Sequence, residues 1–128
     1  MEKSRYLYHQ LDVVVQENLR EKLQNTLNNN FIVIIRHAKT RANERKVNKS
    51  DLIKFLKKGE YRIVELNIKD GNARCLIRTK EVDSYEIVAS VCIKTGAVIT
   101  CWTNHIKDNH HTLDMNLYGD VNEQVLAF

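Results

Sequence analysis

Arg62-Ile63-Val64-Glu65-Leu66-Asn67-Ile68, then Asp70-Gly71, then Ala73-Arg74-Cys75-Leu76-Ile77-Arg78 is the stretch that decides the fold. Apolar and polar side chains alternate through both halves, the period of a strand whose two faces meet different surroundings. Asp-Gly between the halves tolerates the positive φ of a tight hairpin, so the segment reads as two antiparallel strands. The pattern returns downstream. Residues 85–93 and 97–103 are again strand-like and are joined through Lys94-Thr95-Gly96, which completes a four-stranded antiparallel meander.

Upstream the period changes. Leu7, Leu11, Val14, Val15, Leu19, Leu23 and Leu27 recur at three- and four-residue steps, which predicts an amphipathic helix over 6–26 that stops at Asn28-Asn29-Asn30. Residues 31–35 are rich in β-branched side chains and read either as a short strand or as a buried lead into a helix that carries His37. Ser50 then reads as the N-cap before Asp51 in a further helix. Leu52, Ile53, Phe55 and Leu56 form its apolar side, and Gly59 stops it. The expected fold class is α+β, with N-terminal helices packed on a twisted four-stranded antiparallel sheet. One domain over 1–128 is expected, made of an N-terminal helix (1–30), a core (31–103) and a polar tail (104–128).

Composition sets the class of partner. A chain of 128 residues with 43% hydrophobic and 28% charged side chains suits one soluble core. Its pI near 9.0 leans toward an anionic partner. No run approaches the roughly 18 apolar residues of a membrane span, and the N-terminus lacks a secretory signal. Cys75, Cys92 and Cys101 are odd in number, have no C-x-x-C spacing and sit in apolar runs, as reduced core residues of a cytoplasmic protein do. Without proline, repeats or low-complexity tracts, nothing announces a linker.

The charge is not spread evenly. Residues 36–62 hold ten Lys or Arg against Glu44, Asp51 and Glu60, a net of +7, whereas the whole chain is +4. On a helix, positions 37, 41 and 45 fall within roughly 80° of arc, so His37, Arg41 and Arg45 share one stripe beside Ala38 and Ala42. An imidazole titrates near neutral pH and transfers protons, while guanidinium groups grip phosphate oxygens in two places. This is the equipment of metal-free RNA cleavage. A base takes the 2′-hydroxyl proton, an acid protonates the leaving 5′-oxygen, and cations hold the phosphorane. His37 is the candidate base or acid, with Arg41 and Arg45 as the clamp.

Strand alternation sets Thr100 and Trp102 on one face of the last strand, with Cys101 and Thr103 on the other. A threonine hydroxyl suits a phosphate oxygen, which makes Thr100 a catalytic candidate, and an exposed indole suits an unpaired base. Arg36, Lys39, Lys46, Trp102, Thr103, His105 and Tyr118 are candidate RNA contacts, and His105 also a candidate second proton-transfer group. His105, Asp108, His110, His111 and Asp114 lack the spacing of known zinc sites, so no metal is expected. Glycine-rich phosphate loops and nucleophile elbows are missing, and no cofactor is expected.

The run His37-Ala38-x-x-Arg41-x-x-Glu44-Arg45-x-Val47-x-x-x-Asp51-Leu52-x-x-x-Leu56, with Val98-Ile99-Thr100-x-Trp102 after alternating strands, resembles the compact barnase, EndoU, colicin and RelE group of ribonucleases. Phage RelE-type endoribonucleases and a family with an H-A-x-x-R-x-x-E-R helix are similar. The likeness covers residues 31–103. It implies metal-independent endoribonuclease activity on tRNA or mRNA, often toxin-like, and a protein inhibitor of antitoxin or immunity type. His37 matches the helix histidine, Arg45 or Arg41 the arginine, and Thr100 with Trp102 the last-strand positions. A long first helix and a histidine-rich tail depart from that pattern. Two other readings stand beside it: a non-catalytic factor that holds RNA or an acidic protein on the same basic face, and an oligomer paired through the first helix.

Overall fold

The computed structural model describes residues 5–107 except 70. Five strands form one antiparallel sheet in chain order: β1 (Arg5–Leu7), β2 (Tyr61–Lys69), β3 (Asn72–Thr79), β4 (Tyr85–Cys92) and β5 (Val98–His105). Helices α1 (Val13–Asn29), α2 (Arg36–Glu44) and α3 (Lys49–Lys58) contribute to a core on one face of it. Both hairpins read from the alternation are present, and the sheet has one strand more than the sequence predicts.

The extra strand replaces the start of the expected first helix. Tyr6 pairs with Leu66 and Leu7 with Glu65, and a 3-10 turn at Tyr8–Gln10 follows. Gln16 ties that turn to α1, its Nε2 donating to the carbonyls of Tyr8 (3.0 Å) and Leu11 (2.9 Å). Spacing alone could not exclude a helix here, because Leu7 and Leu11 stand at a helical interval while serving a strand and a turn. The true apolar stripe of α1 is Val15, Leu19, Leu23 and Leu27, and Val14 is 67% exposed. All three leucines of that stripe are fully buried within this chain.

Two further details differ, and one open alternative is decided. Asn48, not Ser50, caps α3, its Oδ1 accepting the Asp51 N–H at 3.0 Å, and Gly59 ends the helix with φ 72°. Residues 31–35 form a lead rather than a strand. Val98 N–H donates to Val33 O (2.8 Å) and Ile35 N–H to Val98 O (3.1 Å), a single parallel bridge that pins the entry to α2. Cys75 and Cys101 are free and buried as expected, but Cys92 is half-buried. Burial pushes the Cys92 thiol up, yet hydrogen bonds from Thr95 and the charge of Arg74 outweigh it and leave the thiol below its usual range. No helix among the described residues is long and apolar enough to cross a membrane.

Arg20 and Tyr61 join α1 to the sheet. The guanidinium lies 4.9 Å from the Tyr61 ring centroid and donates to Tyr61 O and Gly59 O, while the Tyr61 hydroxyl donates to Gln24 Oε1 at 2.7 Å. Burial pushes the Tyr61 hydroxyl up to about 12, although Arg20 opposes the shift. Above the ordinary tyrosine value of about 10 the unfolded chain releases a proton that the fold retains, so stability falls as pH rises toward 12. Tyr61 should account for a loss on the order of 2–3 kcal/mol over that window. Urea unfolding across about pH 9 to about pH 12 should show the decline, and Tyr61→Phe, though weaker at neutral pH, should show a shallower one.

Candidate nucleic-acid interface

The site grows from the way α2 meets β5. Ala38 and Ala42 are fully buried on the sheet side of the helix, so the backbones approach closely and the Cys101 thiol lies 3.9 Å from Ala38 O. Helical backbone stops at Glu44. Val47 N–H bonds the Ala42 carbonyl at 2.8 Å while Lys46 turns left-handed with φ 56°, a closure that usually employs glycine. Arg45 caps the helix, its N–H still bonded to Arg41 O at 2.9 Å, and its Nη1 reaches the strand to donate to Cys101 O at a long 3.4 Å.

Arg45, Trp102 and Thr103 together line a cleft of about 500 Å³ at the edge of β5. Trp102 is half-buried, neither a core residue nor a free surface ring. Arg45 also lines a neighbouring cavity of about 420 Å³ with Lys46, Asp51, Lys80, Asp83, Tyr85 and Thr103. Backbone strain concentrates there. Among the described residues the non-glycine positions with positive φ are Lys46, Asp83 (52°) and Ser84 (69°); two line this cavity and the third adjoins it in sequence. Such conformations cost about 1–3 kcal/mol each, and they cluster at ligand sites. His105 follows Thr103 on the same face and packs edge-on against Tyr85 with centroids 5.4 Å apart.

The expected constellation is only partly assembled. Register confirms that Thr100 (opposite Ser90) and Trp102 (opposite Val88) share a face, while Cys101 and Thr103 share the other. Helix α2 covers the Cys101 face. Thr100 consequently lies on the opposite face from α2, and His37 and Arg41 are exposed on the helix. Arg41 pairs with Glu44 at 3.6 Å. No hydrogen bond or ion pair among the described residues joins His37 to Arg45, Thr100 or Trp102, and neither cavity includes it. Arg36, Lys39, Arg45 and Lys46 are exposed and form no ion pair among the described residues. Tyr118, Asp108, His110, His111 and Asp114 lie outside the described residues.

Sequence reasoning missed Lys80 and Tyr85, which reach the site from the β3–β4 connection. It also missed the polar face of the sheet. There Glu86, 6% exposed, accepts from Arg62 Nη1 at 2.5 Å and pairs with Arg78 Nε at 3.1 Å, and Arg78 Nη2 donates to His105 O at 3.1 Å. This network fixes the end of β5 behind the cleft. Alternation places Arg62, Arg78 and Glu86 on that face, a legible signal once the strands are aligned.

No family model, curated protein or solved structure matches the chain. The interface rests on its own geometry.

Glu86→Gln keeps the shape and removes the negative charge that faces Arg78, which is 2% exposed. Breaking a buried ion pair from one side costs about 3–5 kcal/mol. Arg62 is more than half exposed on its side chain, and its pair should contribute under about 1 kcal/mol. Urea midpoints should therefore fall far more for Glu86→Gln than for Arg62→Ala, and equal falls would show that Arg78 does not depend on this carboxylate.

Proposed function

We propose that this protein is a metal-independent endoribonuclease that binds single-stranded RNA along the edge of β5. The observation that carries the reading is the Arg45 guanidinium sharing one cleft with the half-buried Trp102 indole. Arginine there grips a phosphate and tryptophan stacks the adjoining base, a pairing that suits an unpaired strand. Supporting it are the exposed cations Arg36, Lys39 and Lys46 and the strained rim of the Arg45 cavity. The 2′-oxygen attacks phosphorus, a base takes its proton, and the 5′-oxygen departs with a proton from an acid, leaving a 2′,3′-cyclic phosphate. Arg45 stabilises the phosphorane. His105, next to the Tyr85 wall, follows Thr103 of this cleft on the same face of β5, and His37 supplies the second group only if the RNA also crosses α2. A toxin-like role would add an acidic protein inhibitor over the same basic face.

A second reading, a non-catalytic RNA-binding factor of the cytoplasm, is favoured by one observation. His37 is exposed on α2 and no hydrogen bond or cavity joins it to Arg45, Thr100 or Trp102, so among the described residues no acid and base face a common point.

The deciding measurement is a gel of tRNA and a structured mRNA incubated with wild type, His37→Ala, His105→Ala and Arg45→Ala, with and without EDTA. Discrete EDTA-resistant fragments ending in cyclic phosphate are expected. Arg45→Ala should slow their appearance about 100-fold or more, and loss in one histidine variant alone assigns the proton-transfer group. Retained RNA binding without cleavage would replace the enzyme reading with the binding factor. Fragments that need a metal would overturn the mechanism.

A further inference from the structure

The tight turn between β3 and β4 presents apolar side chains that the fold leaves exposed. Val82 and Tyr85 exchange both backbone hydrogen bonds (2.8 and 3.0 Å), so their side chains stand side by side on one face. Asp83 and Ser84 between them both have positive φ, the form of a two-residue turn that ordinarily calls for glycine or asparagine. Ile106 joins the group, its N–H donating to Ser84 O at 3.0 Å. Single exposed apolar residues are ordinary on a surface, but a group of them beside a cavity marks a place where something binds.

That cavity is the one of about 420 Å³ next to the Trp102 cleft, a volume within the range of small-ligand sites. Val82, Tyr85 and the buried Ile87 supply its apolar lining. The charges in it nearly balance: Arg45, Lys46 and Lys80 stand against Asp51 and Asp83, and Lys80 is already paired with Glu60 at 3.5 Å. An aromatic wall with so little net charge suits a flat, neutral group better than a phosphate. Phosphate belongs instead at Arg45, which lines both cavities together with Thr103.

One guanidinium thus stands between two aromatic side chains. Register sets Trp102 opposite Val88 and Tyr85 opposite His105, three residues further along β5, which is about 10 Å of strand. The two rings also belong to opposite faces of the sheet. Bases stacked as in a duplex stand about 3.4 Å apart and cannot reach both. A step whose bases are unstacked and turned apart can, and single strands offer such steps. We infer that this cavity is a second base site, so that the interface recognises a dinucleotide step: one base on Trp102, its neighbour on Tyr85, and the phosphate between them on Arg45. The inference rests on the RNA reading above and deepens it by setting the length and conformation of the unit that is bound.

Trp102 is the only tryptophan of the chain, so its emission reports stacking directly. The full-length protein is titrated with the deoxy dinucleotide of two adenosines, which lacks the 2′-hydroxyl and is not cut, and with its two forms in which one sugar carries no base. All three have the same phosphate, so charge is constant across the series. The intact dinucleotide should bind about fivefold or more tighter than the better of the two abasic forms, the gain of one stacked base. In Tyr85→Leu that gain should shrink to about twofold or less while quenching by the abasic form seated on Trp102 persists, and Tyr85→Phe, which keeps the ring, should retain it. A smaller gain in wild type, a gain that survives in Tyr85→Leu, or one lost equally in Tyr85→Phe overturns the inference. A parallel binding series with single-stranded RNA oligomers and Arg45→Ala separates the two failures. If oligomers bind through Arg45 but the second base adds nothing, the Tyr85 site is wrong and the RNA interface stands; if nothing binds, both fall.

Discussion

The close contact of α2 with the edge strand β5 is the constraint on which the interface depends. Two alanines face the strand, and side chains of any greater size would push the helix axis outward. The helix is pinned at both ends as well. Backbone hydrogen bonds from Val98 hold the chain just before Arg36, and the left-handed Lys46 with the Val47 bond closes the last turn. A helix so short has little stability of its own, so packing and these two anchors define it. Its end thus falls beside β5, the edge strand among the described residues, which is where Arg45 reaches the Cys101 carbonyl. An edge strand left bare invites pairing with another strand, and a charged side chain laid across it is one way to prevent that. The residue that protects the edge is also the one available to an anionic ligand.

The other face of the sheet follows a different logic. Sheets covered on one side alone usually expose a simple polar surface on the other. Here that face contains Glu65, Arg78 and Glu86, all under 10% exposed, beside the fully buried Val88. Buried charges of this kind contribute little net stability, because desolvation offsets most of the attraction, but they make the arrangement costly to disturb. Arg78 bridges Glu86 of β4 to the backbone of β5 at His105, so the network holds the strand carrying Trp102 in register with the rest of the sheet. The face is therefore shaped rather than merely solvated.

The hairpins were legible because their information is local: alternation and a turn signal lie within a few residues of each other, as in 62–78. Strand β1 was not. Three residues have no period to read, and their partner, Leu66 opposite Tyr6, is distant in the chain. The same limit governs the site. Alternation correctly paired Thr100 with Trp102, yet only tertiary packing decides which face of β5 a helix covers, and α2 took the Cys101 face. The stripe of His37, Arg41 and Arg45 presupposed that the helix continues through 45. It ends at Glu44 with Arg45 as its C-cap, and the Arg45 side chain turns to the Cys101 carbonyl while His37 and Arg41 stay exposed on the helix. Arg45, Trp102 and Thr103 were each identifiable from the sequence; their meeting without His37 was not.

The edge of β5 divides two chemistries, and this bears on how affinity and selectivity would be partitioned. On the helix side stand Arg36, Lys39, Arg45 and Lys46, cations without ion pairs among the described residues, whose attraction for phosphate carries no sequence information and weakens with salt. On the outer side stand Glu65, Asn67 and Ser90, short polar groups in a cavity that Trp102 also lines. Trp102 borders both. On the proposed RNA reading, phosphate contacts would fall to the first set and any reading of the bases to contacts beside Trp102. Raising the salt concentration would then weaken binding of every sequence by a similar factor and leave the ranking of bases nearly intact, because the two contributions arise on opposite faces of one strand.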